Sequence, residues 1–338
     1  MKRWIAGLAL LLLLTAAASP AAMARDAGPL SPAAPTASPS PSLSPTLSAS
    51  TTLSPTPSTA SAHAPAPTPF SIAWFGDTQT ASYNEPKALA AMGEWVAANY
   101  AEKNIVRVVQ TGDLVEAGNR AEQWAAFYAA YDAFYGKVPY VAVTGNHDIG
   151  VKEQNYDYWL PQRFLDELPA AQKYMGGLAV YDLFTAGGTN FIIAGVGWGC
   201  AKSAAPWLRK VLLAHSDRVA ILLCHGYFLP KYGIYEEGVT IRDGIVARCP
   251  NVRLVLCGHY RGTAYRQDEF TDANGQTRTV RAMMLNFQGY MHHNAQMRLL
   301  TFDPADHSIH VETFNAMSGR TYRDDTLKVK EFTLENAY

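Results

Sequence analysis

Residues 140–148 read Tyr-Val-Ala-Val-Thr-Gly-Asn-His-Asp, a short apolar stretch that runs directly into polar residues. The segment Tyr140–Val143 is typical of a buried β-strand. It leads into the cluster Gly145-Asn146-His147-Asp148, whose glycine permits a sharp turn. The amide, imidazole and carboxylate groups of that cluster are groups that ligate divalent metals. The stretch therefore predicts a strand that delivers reactive side chains at its carboxyl end.

Four further apolar stretches end in the same way. Their polar clusters are Gly76-Asp77-Thr78-Gln79, Gly112-Asp113-Leu114-Val115-Glu116, Cys224-His225-Gly226 and Cys257-Gly258-His259-Tyr260-Arg261. The first three strands alternate with amphipathic segments at 85–100 and 120–135, an order that predicts a parallel sheet covered by helices. Ligands bind outside the carboxyl ends of the strands in such sheets. We therefore expect the five clusters to converge on one site.

The second half of the chain predicts more sheet. Strands are expected at 191–196, 219–223 and 253–256, with a helix near 205–215. After His259 the pattern becomes that of antiparallel hairpins, whose turns are Asp272-Ala273-Asn274-Gly275 and Asp303-Pro304-Ala305-Asp306. The predicted fold class is thus a mixed α/β domain, residues 70–338, whose C-terminal third is mostly sheet.

The first 24 residues have the order of a secretory signal peptide. Lys2 and Arg3 precede an apolar run from Ile5 to Ala18, and small residues ending at Ala24 follow. The run has about 14 residues, fewer than the roughly 20 that cross a bilayer. We therefore expect a cleaved leader, no transmembrane segment after its removal, and a secreted or extracytoplasmic protein.

Residues 25–69 form a predicted disordered linker. Residues 28–69 contain 11 of the 20 prolines and no Asp, Glu, Lys or Arg. Such a segment has too little bulky apolar surface to fold, and its prolines keep it extended. It serves either as a spacer that associates the protein with the cell wall or envelope, or merely as a tolerated linker. The whole chain carries 28 basic and 29 acidic residues, a balance that argues against binding nucleic acid by bulk charge.

The order of the polar clusters resembles that of the calcineurin-like metallophosphoesterases, over roughly residues 70–315. Its elements here are Asp77, Gly112-Asp113, Gly145-Asn146-His147-Asp148, His225 and Gly258-His259. The resemblance implies an α/β/β/α architecture, a β-sandwich of mixed sheets flanked by helices, with a metal site at the C-terminal strand ends. It also implies hydrolysis of a phosphate mono- or diester by metal-activated water. Asp77-Thr78-Gln79 is similar to a secreted bacterial branch that has Gln where most members have His.

By this resemblance two metal ions share the bridging Asp113. The ligands of one ion would be Asp113, Asn146, His225 and His259, and the positions for the other are Asp77, Gln79, Asp113 and Arg261. The second set lacks both of the imidazoles that the family normally has there. Three interpretations stay open. The second site holds a weaker ion, such as Mg or Ca, beside a tight Mn, Fe or Zn; or the guanidinium of Arg261 replaces that ion; or His292 or His293 folds back as a ligand.

The resemblance assigns the proton transfer to the leaving oxygen to His147, oriented by the carboxylate of Glu116. Asp148 is expected to make structural hydrogen bonds in the turn. The substrate would be a small phosphorylated compound. Aromatic residues that follow the third and fourth clusters either rim the pocket or hold the loops together; they are Tyr156, Tyr158, Trp159, Phe164, Tyr227, Phe228, Tyr232 and Tyr235.

A second function class competes with the enzyme. The loss of both imidazoles at one ion site is also what we would expect of a non-catalytic envelope binding protein that keeps one structural metal. The four cysteines permit disulfides in a secreted chain, but none of their positions predicts a particular bridge, and Cys224 and Cys257 have the setting of buried free thiols.

Overall fold

The computed structural model describes residues 67–149, 166, 172–231, 233–288, 295–321 and 331–338. The chain separates into residues 1–62 and residues 63–338, and the described structure belongs to the second unit. The predicted leader and the predicted linker up to residue 66 lie outside the described residues. Within the described parts, no helix combines the length and apolar character needed to cross a membrane.

Strands dominate the described structure. In chain order they are β1 (Phe70–Phe75), β2 (Ile105–Gln110), β3 (Tyr140–Ala142), β4 (Lys173–Tyr174), β5 (Ala179–Ala186), β6 (Thr189–Val196), β7 (Val219–Cys224), β8 (Phe228–Leu229), β9 (Gly233–Ile234), β10 (Val252–Cys257), β11 (Gly262–Thr271), β12 (Thr277–Asn286), β13 (Gln296–Asp303), β14 (Ser308–Asn315) and β15 (Phe332–Leu334). The described α-helices are α1 (Gln79–Asn84), α2 (Pro86–Asn99), α3 (Ala121–Phe134), α4 (Asn146–Ile149), α5 (Ala201–Ala214) and α6 (Glu236–Gly244). Short 3-10 turns lie at Met175–Gly177 and Val246–Arg248.

The strands form two large mixed sheets. The first has the order β15-β14-β13-β1-β2-β3, and the second has the order β11-β12-β10-β7-β6-β5-β4. In the first sheet β1, β2 and β3 are parallel, as the βαβαβ pattern predicted. In the second sheet β6, β7, β10 and β12 are parallel, and β5 and β11 run antiparallel along their flanks.

The region after His259 contains one strand pairing that the sequence did not predict. The strands β11 and β12 do form the predicted antiparallel hairpin, and so do β13 and β14. However, β12 also pairs in parallel with β10, with Leu256 opposite Met283. The expected antiparallel hairpins are therefore present, and the parallel pairing of β12 with β10 is an additional contact that the sequence did not predict. A hairpin pattern shows that two strands are adjacent, but it does not show which third strand they join.

Apolar side chains fill two layers. Ile221 and Leu223 of β7 belong to a core that also includes Ile72 and Trp74 of β1, so this core lies between the two sheets. The alternate residues of β7, such as Leu222, belong to a second core that contains Leu208 of α5. Because β7 is buried on both faces, its sequence is a continuous apolar run. The predicted sandwich of mixed sheets flanked by helices is thereby confirmed.

Candidate metal centre

Parallel strands of both sheets contribute residues to one group of polar side chains. Asp113 follows β2, His225 follows β7, and His259 follows β10. One potential ligand atom of each of these residues lies within 4.8 Å of those of the other two. His225 Nε2 lies 3.2 Å from Asp113 Oδ1, 3.2 Å from His259 Nδ1 and 3.1 Å from Asn146 Oδ1. The four residues expected to bind one ion therefore meet around a single imidazole nitrogen.

His225 is held in a fixed orientation. Its Nδ1 lies 2.8 Å from the main-chain carbonyl oxygen of Thr111, to which it can donate a hydrogen bond. A proton on Nδ1 leaves Nε2 as the nitrogen that faces Asp113 and His259. Hydrogen bonds of this kind set the tautomer and aim of metal-binding imidazoles.

Two of the four residues have left-handed backbone conformations. The φ angle is 50° at Asp113 and 71° at His259. Residues other than glycine rarely adopt such angles, and such strain persists where surrounding contacts enforce it. The main chain thus aims both side chains at the same point.

Asp148 braces the loop that carries Asp113. Its Oδ1 accepts hydrogen bonds from the main-chain nitrogens of Leu114 and Val115 at 2.8 and 3.0 Å, and its Oδ2 accepts one from Gly145 at 2.7 Å. Gly145 itself approaches closely, because a Cβ at that position would lie 2.1 Å from Asp113 Oδ1. These contacts are the structural hydrogen bonds that the sequence predicted for Asp148.

Asp77 braces the loop that carries His259. Both of its carboxylate oxygens accept the main-chain N–H of His259, at 2.9 and 3.2 Å. Its Oδ2 also accepts a hydrogen bond from Nδ2 of Asn286 at 2.7 Å. Asn286 is the last residue of β12, and sequence reasoning assigned it no role, although its position at a strand end was a usable signal.

The two remaining positions of the predicted second ion site, Gln79 and Arg261, lie in different environments. Gln79 Nε2 donates a hydrogen bond to Asp113 Oδ2 at 2.8 Å. Its Oε1 is buried and has no hydrogen-bond partner among the described residues. Arg261 lies exposed in the turn before β11. His292 and His293, the other suggested ligands, lie outside the described residues.

His147 lies beside the four converging residues. Its main-chain nitrogen donates to Asp113 Oδ1 at 3.0 Å. Its Nδ1 lies 2.9 Å from the main-chain carbonyl oxygen of Glu116, whereas the Glu116 carboxylate is 3.6 Å away. The closer contact of Glu116 with His147 is thus made by its main chain, whereas the sequence analysis expected the carboxylate to orient this ring. The His147 side chain is 35% exposed, so it can meet a solute.

Aromatic rings enclose the imidazoles on one side. The Trp198 ring lies 4.5 Å from that of His259 and 5.5 Å from that of His225, measured between centroids. Tyr235 stacks on Trp198 at 5.6 Å, and Tyr260 lies 4.5 Å from His259. Tyr235 is one of the predicted rim aromatics. Trp198, which follows the end of β6, is a neighbour that sequence reasoning missed.

Four of the predicted rim residues, Tyr156, Tyr158, Trp159 and Phe164, lie outside the described residues, as does Tyr232. Tyr227 and Phe228 are described, and both are buried in the core between the second sheet and its helices. The interpretation that aromatic residues hold the loops together therefore applies to this pair.

The titratable groups of the cluster are shifted in opposite directions. Burial lowers the pKa of His225, but the Asp113 and Asp77 carboxylates and the Thr111 carbonyl oxygen together outweigh burial and raise that pKa to about 10. Burial and the charge of His225 lower the pKa of His259 to about 4. Burial raises the pKa of Asp77 well above its ordinary value. The metal-free cluster therefore holds a proton on His225 at neutral pH and leaves His259 neutral.

These residues fit a divalent metal ion. Carboxylate oxygen, amide oxygen and imidazole nitrogen are the ligands of Mn, Fe and Zn. The aromatic rings beside His259 limit access of water to these ligands from one side. Ligands of these types, gathered at the carboxyl ends of parallel strands, define a candidate metal-binding centre.

A model of the family described as "Calcineurin-like phosphoesterase" matches residues 70–260. The chain belongs to that family, and the resemblance predicted from its sequence is confirmed. The assignment to a secreted branch with Asp-Thr-Gln stays a prediction.

Two individual proteins are similar to this chain. The uncharacterized protein YvnB of Bacillus subtilis (strain 168) is 32% identical over 276 residues, which are 78% of this chain and 21% of YvnB. The chain thus spans about a fifth of the length of that relative. Purple acid phosphatase PPD1 from yellow lupin (Lupinus luteus) seeds superposes with a TM-score of 0.53 at 17% identity, over 79% of this chain and 54% of its own. This second likeness concerns the fold.

Proposed function

We propose that this chain is a metal-dependent phosphoesterase that hydrolyses a mono- or diester of a small phosphorylated compound. The observation that carries the proposal is the meeting of Asp113, Asn146, His225 and His259 around one point, inside the segment that the family model matches. Nothing in the chain's near-neutral charge favours a nucleic-acid substrate.

Asp113, Asn146, His225 and His259 would hold the cofactor. A divalent ion there supplies Lewis acidity toward a phosphoryl oxygen and lowers the pKa of a coordinated water. The identity of the ion, Mn, Fe or Zn, belongs to the proposal.

His147 is the proposed donor of a proton to the leaving oxygen. Its Nδ1 is engaged by the Glu116 carbonyl oxygen at 2.9 Å, which leaves Nε2 as the nitrogen free to exchange a proton with a substrate. The exposed position of this ring beside Asp113 gives it access to a bound ester. Glu116 acts here as a positioning residue.

The test is hydrolysis of p-nitrophenyl phosphate and of bis-p-nitrophenyl phosphate by the folded protein, supplied in turn with Mn, Fe, Zn, Mg and Ca. We expect turnover with at least one ion and its loss on chelation. His147→Gln should lower kcat by roughly 100-fold or more while metal content stays unchanged. His215→Gln, at the end of α5, is the matched control. If His147→Gln turns over the esters as fast as the natural chain, the proton-transfer role of His147 is refuted.

The alternative is a non-catalytic envelope binding protein with one structural metal. It is favoured by a specific observation, the presence of Gln79 and Arg261 where the family has imidazoles. A folded protein that binds an ion tightly and turns over none of the esters would support this alternative over the enzyme.

The proposed location is outside the cytoplasm, supported by the charged, apolar and small-residue order of residues 1–24. The proline-rich linker would then hold the domain at the cell envelope. Sequencing the N-terminus of the mature protein tests this: the leader is refuted if the chain from the native host still begins at Met1.

A further inference from the structure

We propose that the centre binds one divalent ion rather than two, and that Asp77 and Gln79 position its ligands instead of binding a second ion. The inference rests on the proposed function only in taking a divalent ion as the cofactor.

Asp77 is already committed to hydrogen bonds within the protein. Its two oxygens accept the main-chain N–H of His259, and Oδ2 also accepts Nδ2 of Asn286 at 2.7 Å. A Cβ at Gly258 would lie 1.9 Å from Asp77 Oδ1, so the chain closes tightly over this carboxylate. The protein itself thus supplies hydrogen-bond donors to both oxygens of Asp77, and these contacts tie the carboxylate to the main chain of His259.

Gln79 engages the oxygen of Asp113 that a second ion would need. A bridging carboxylate offers one oxygen to each metal. Here Asp113 Oδ1 faces His225, while Oδ2 accepts the amide N–H of Gln79 at 2.8 Å. The amide thus gives Oδ2 of Asp113 a hydrogen-bond donor and keeps Oδ1 aimed at the cluster.

The positive charge of Arg261 also disfavours a second ion. A second ion would need a neutral or anionic ligand at this position, and a guanidinium is neither, because it stays protonated in proteins. Arg261 lies exposed two residues after His259. A centre with one ion carries less positive charge than a centre with two, and Arg261 is placed to attract an anionic substrate to it.

The count of bound ions tests the inference without any turnover. The full chain is stripped with a chelator, dialysed against excess Mn²⁺ and desalted, and its metal content is measured. We expect about one Mn²⁺ per chain and the electron paramagnetic resonance pattern of an isolated ion. Two ions per chain with an exchange-coupled spectrum would overturn this inference and leave the proposed function standing. A folded chain that binds none would overturn both.

Variants of Asp77 separate a positioning role from a ligand role. In Asp77→Asn we expect the stoichiometry to stay at one ion and the affinity for Mn²⁺ to fall roughly tenfold or more, as for residues that orient metal ligands. Asp113→Asn should instead abolish binding. A stoichiometry that falls from two ions to one in Asp77→Asn would show that Asp77 is a ligand and would refute the inference.

Restoring the family's imidazoles tests the inference by the gain of a second ion site. The double variant Gln79→His with Arg261→His should bind a second ion and show exchange coupling that the natural sequence lacks. The matched control pairs Gln79→His with Arg261→Lys, which keeps the positive charge and should keep one ion. Coupling of equal strength in the natural chain and the double variant would contradict the proposal.

Discussion

The carboxylate of Asp77 accepts the main-chain N–H of His259 at 2.9 and 3.2 Å, across 182 positions of sequence. This contact joins the segment that follows β1, in one sheet, to the segment that follows β10, in the other sheet. The position of His259, an expected metal ligand, therefore depends on Asp77, which need not itself bind the metal. Similar bracing holds Asp113 through Asp148, so both left-handed residues of the centre are supported by a buried carboxylate.

Gly258→Ala should disrupt the Asp77–His259 contact. The added Cβ would lie 1.9 Å from Asp77 Oδ1, so the carboxylate or the chain must move. We expect the free energy of unfolding to fall by roughly 1–3 kcal/mol, measured by urea denaturation, together with weaker metal binding. Gly244→Ala is the control, because its Cβ would meet only Ala205 at an ordinary 3.5 Å. Equal effects of the two substitutions would refute the close approach.

Metal binding near neutral pH should release a proton from His225. The pKa of this imidazole is raised to about 10, and that of His259 is lowered to about 4, so of these two imidazoles His225 is the one protonated at neutral pH. We expect about one proton per ion and an affinity that rises with pH, up to tenfold per unit, until the His225 pKa is reached.

Calorimetric titrations in two buffers of different ionisation enthalpy measure that release. The observed enthalpy should differ between the buffers by the ionisation enthalpy of about one proton, and His215→Gln should behave like the natural chain. A binding enthalpy that is the same in both buffers would contradict a protonated His225.

Trp198 should report metal binding by its fluorescence. Its ring lies 4.5 Å from His259 and 5.5 Å from His225, so a paramagnetic Mn²⁺ held by these imidazoles would quench it. We expect quenching that saturates with the bound metal in the natural chain and is largely lost in Trp198→Phe. Trp207→Phe, which removes an indole stacked on Tyr174 at 5.3 Å, serves as the control and should retain the quenching.

The four cysteines should resist thiol reagents in the folded protein. All of them are buried and unpaired, and burial raises the pKa of both Cys200 and Cys249 to about 11. At pH 8 the reactive thiolate is therefore roughly a thousandth of each of these two groups. We expect negligible reaction with Ellman's reagent until guanidinium exposes all the thiols. Rapid reaction of the native protein would contradict the buried setting.

Local pattern predicted much of the fold. The strand Val219–Cys224 was recognisable because both of its faces are buried, which makes its sequence continuously apolar. By contrast, β5 and α6 were not predicted. Half of the eight residues of β5 are only partly buried or exposed, and α6 contains two glycines, so neither presents a strong periodic signal. The parallel pairing of β12 with β10 also escaped prediction, because strand order in a sheet is decided by contacts distant in sequence.

The sequence by itself determined which chemical groups this protein places at its strand ends, since a short apolar strand followed by glycine and a polar residue specifies that turn locally. It determined the family and the ligand types in the same way. Only the tertiary structure decided which groups meet: that Asp77 binds the main chain of His259, that Gln79 donates its amide to Asp113, and that Glu116 reaches His147 by its carbonyl oxygen. The physical reason is that hydrogen-bond partners are chosen by distance and direction across two stacked sheets, and these are properties of the assembled strands rather than of any one segment.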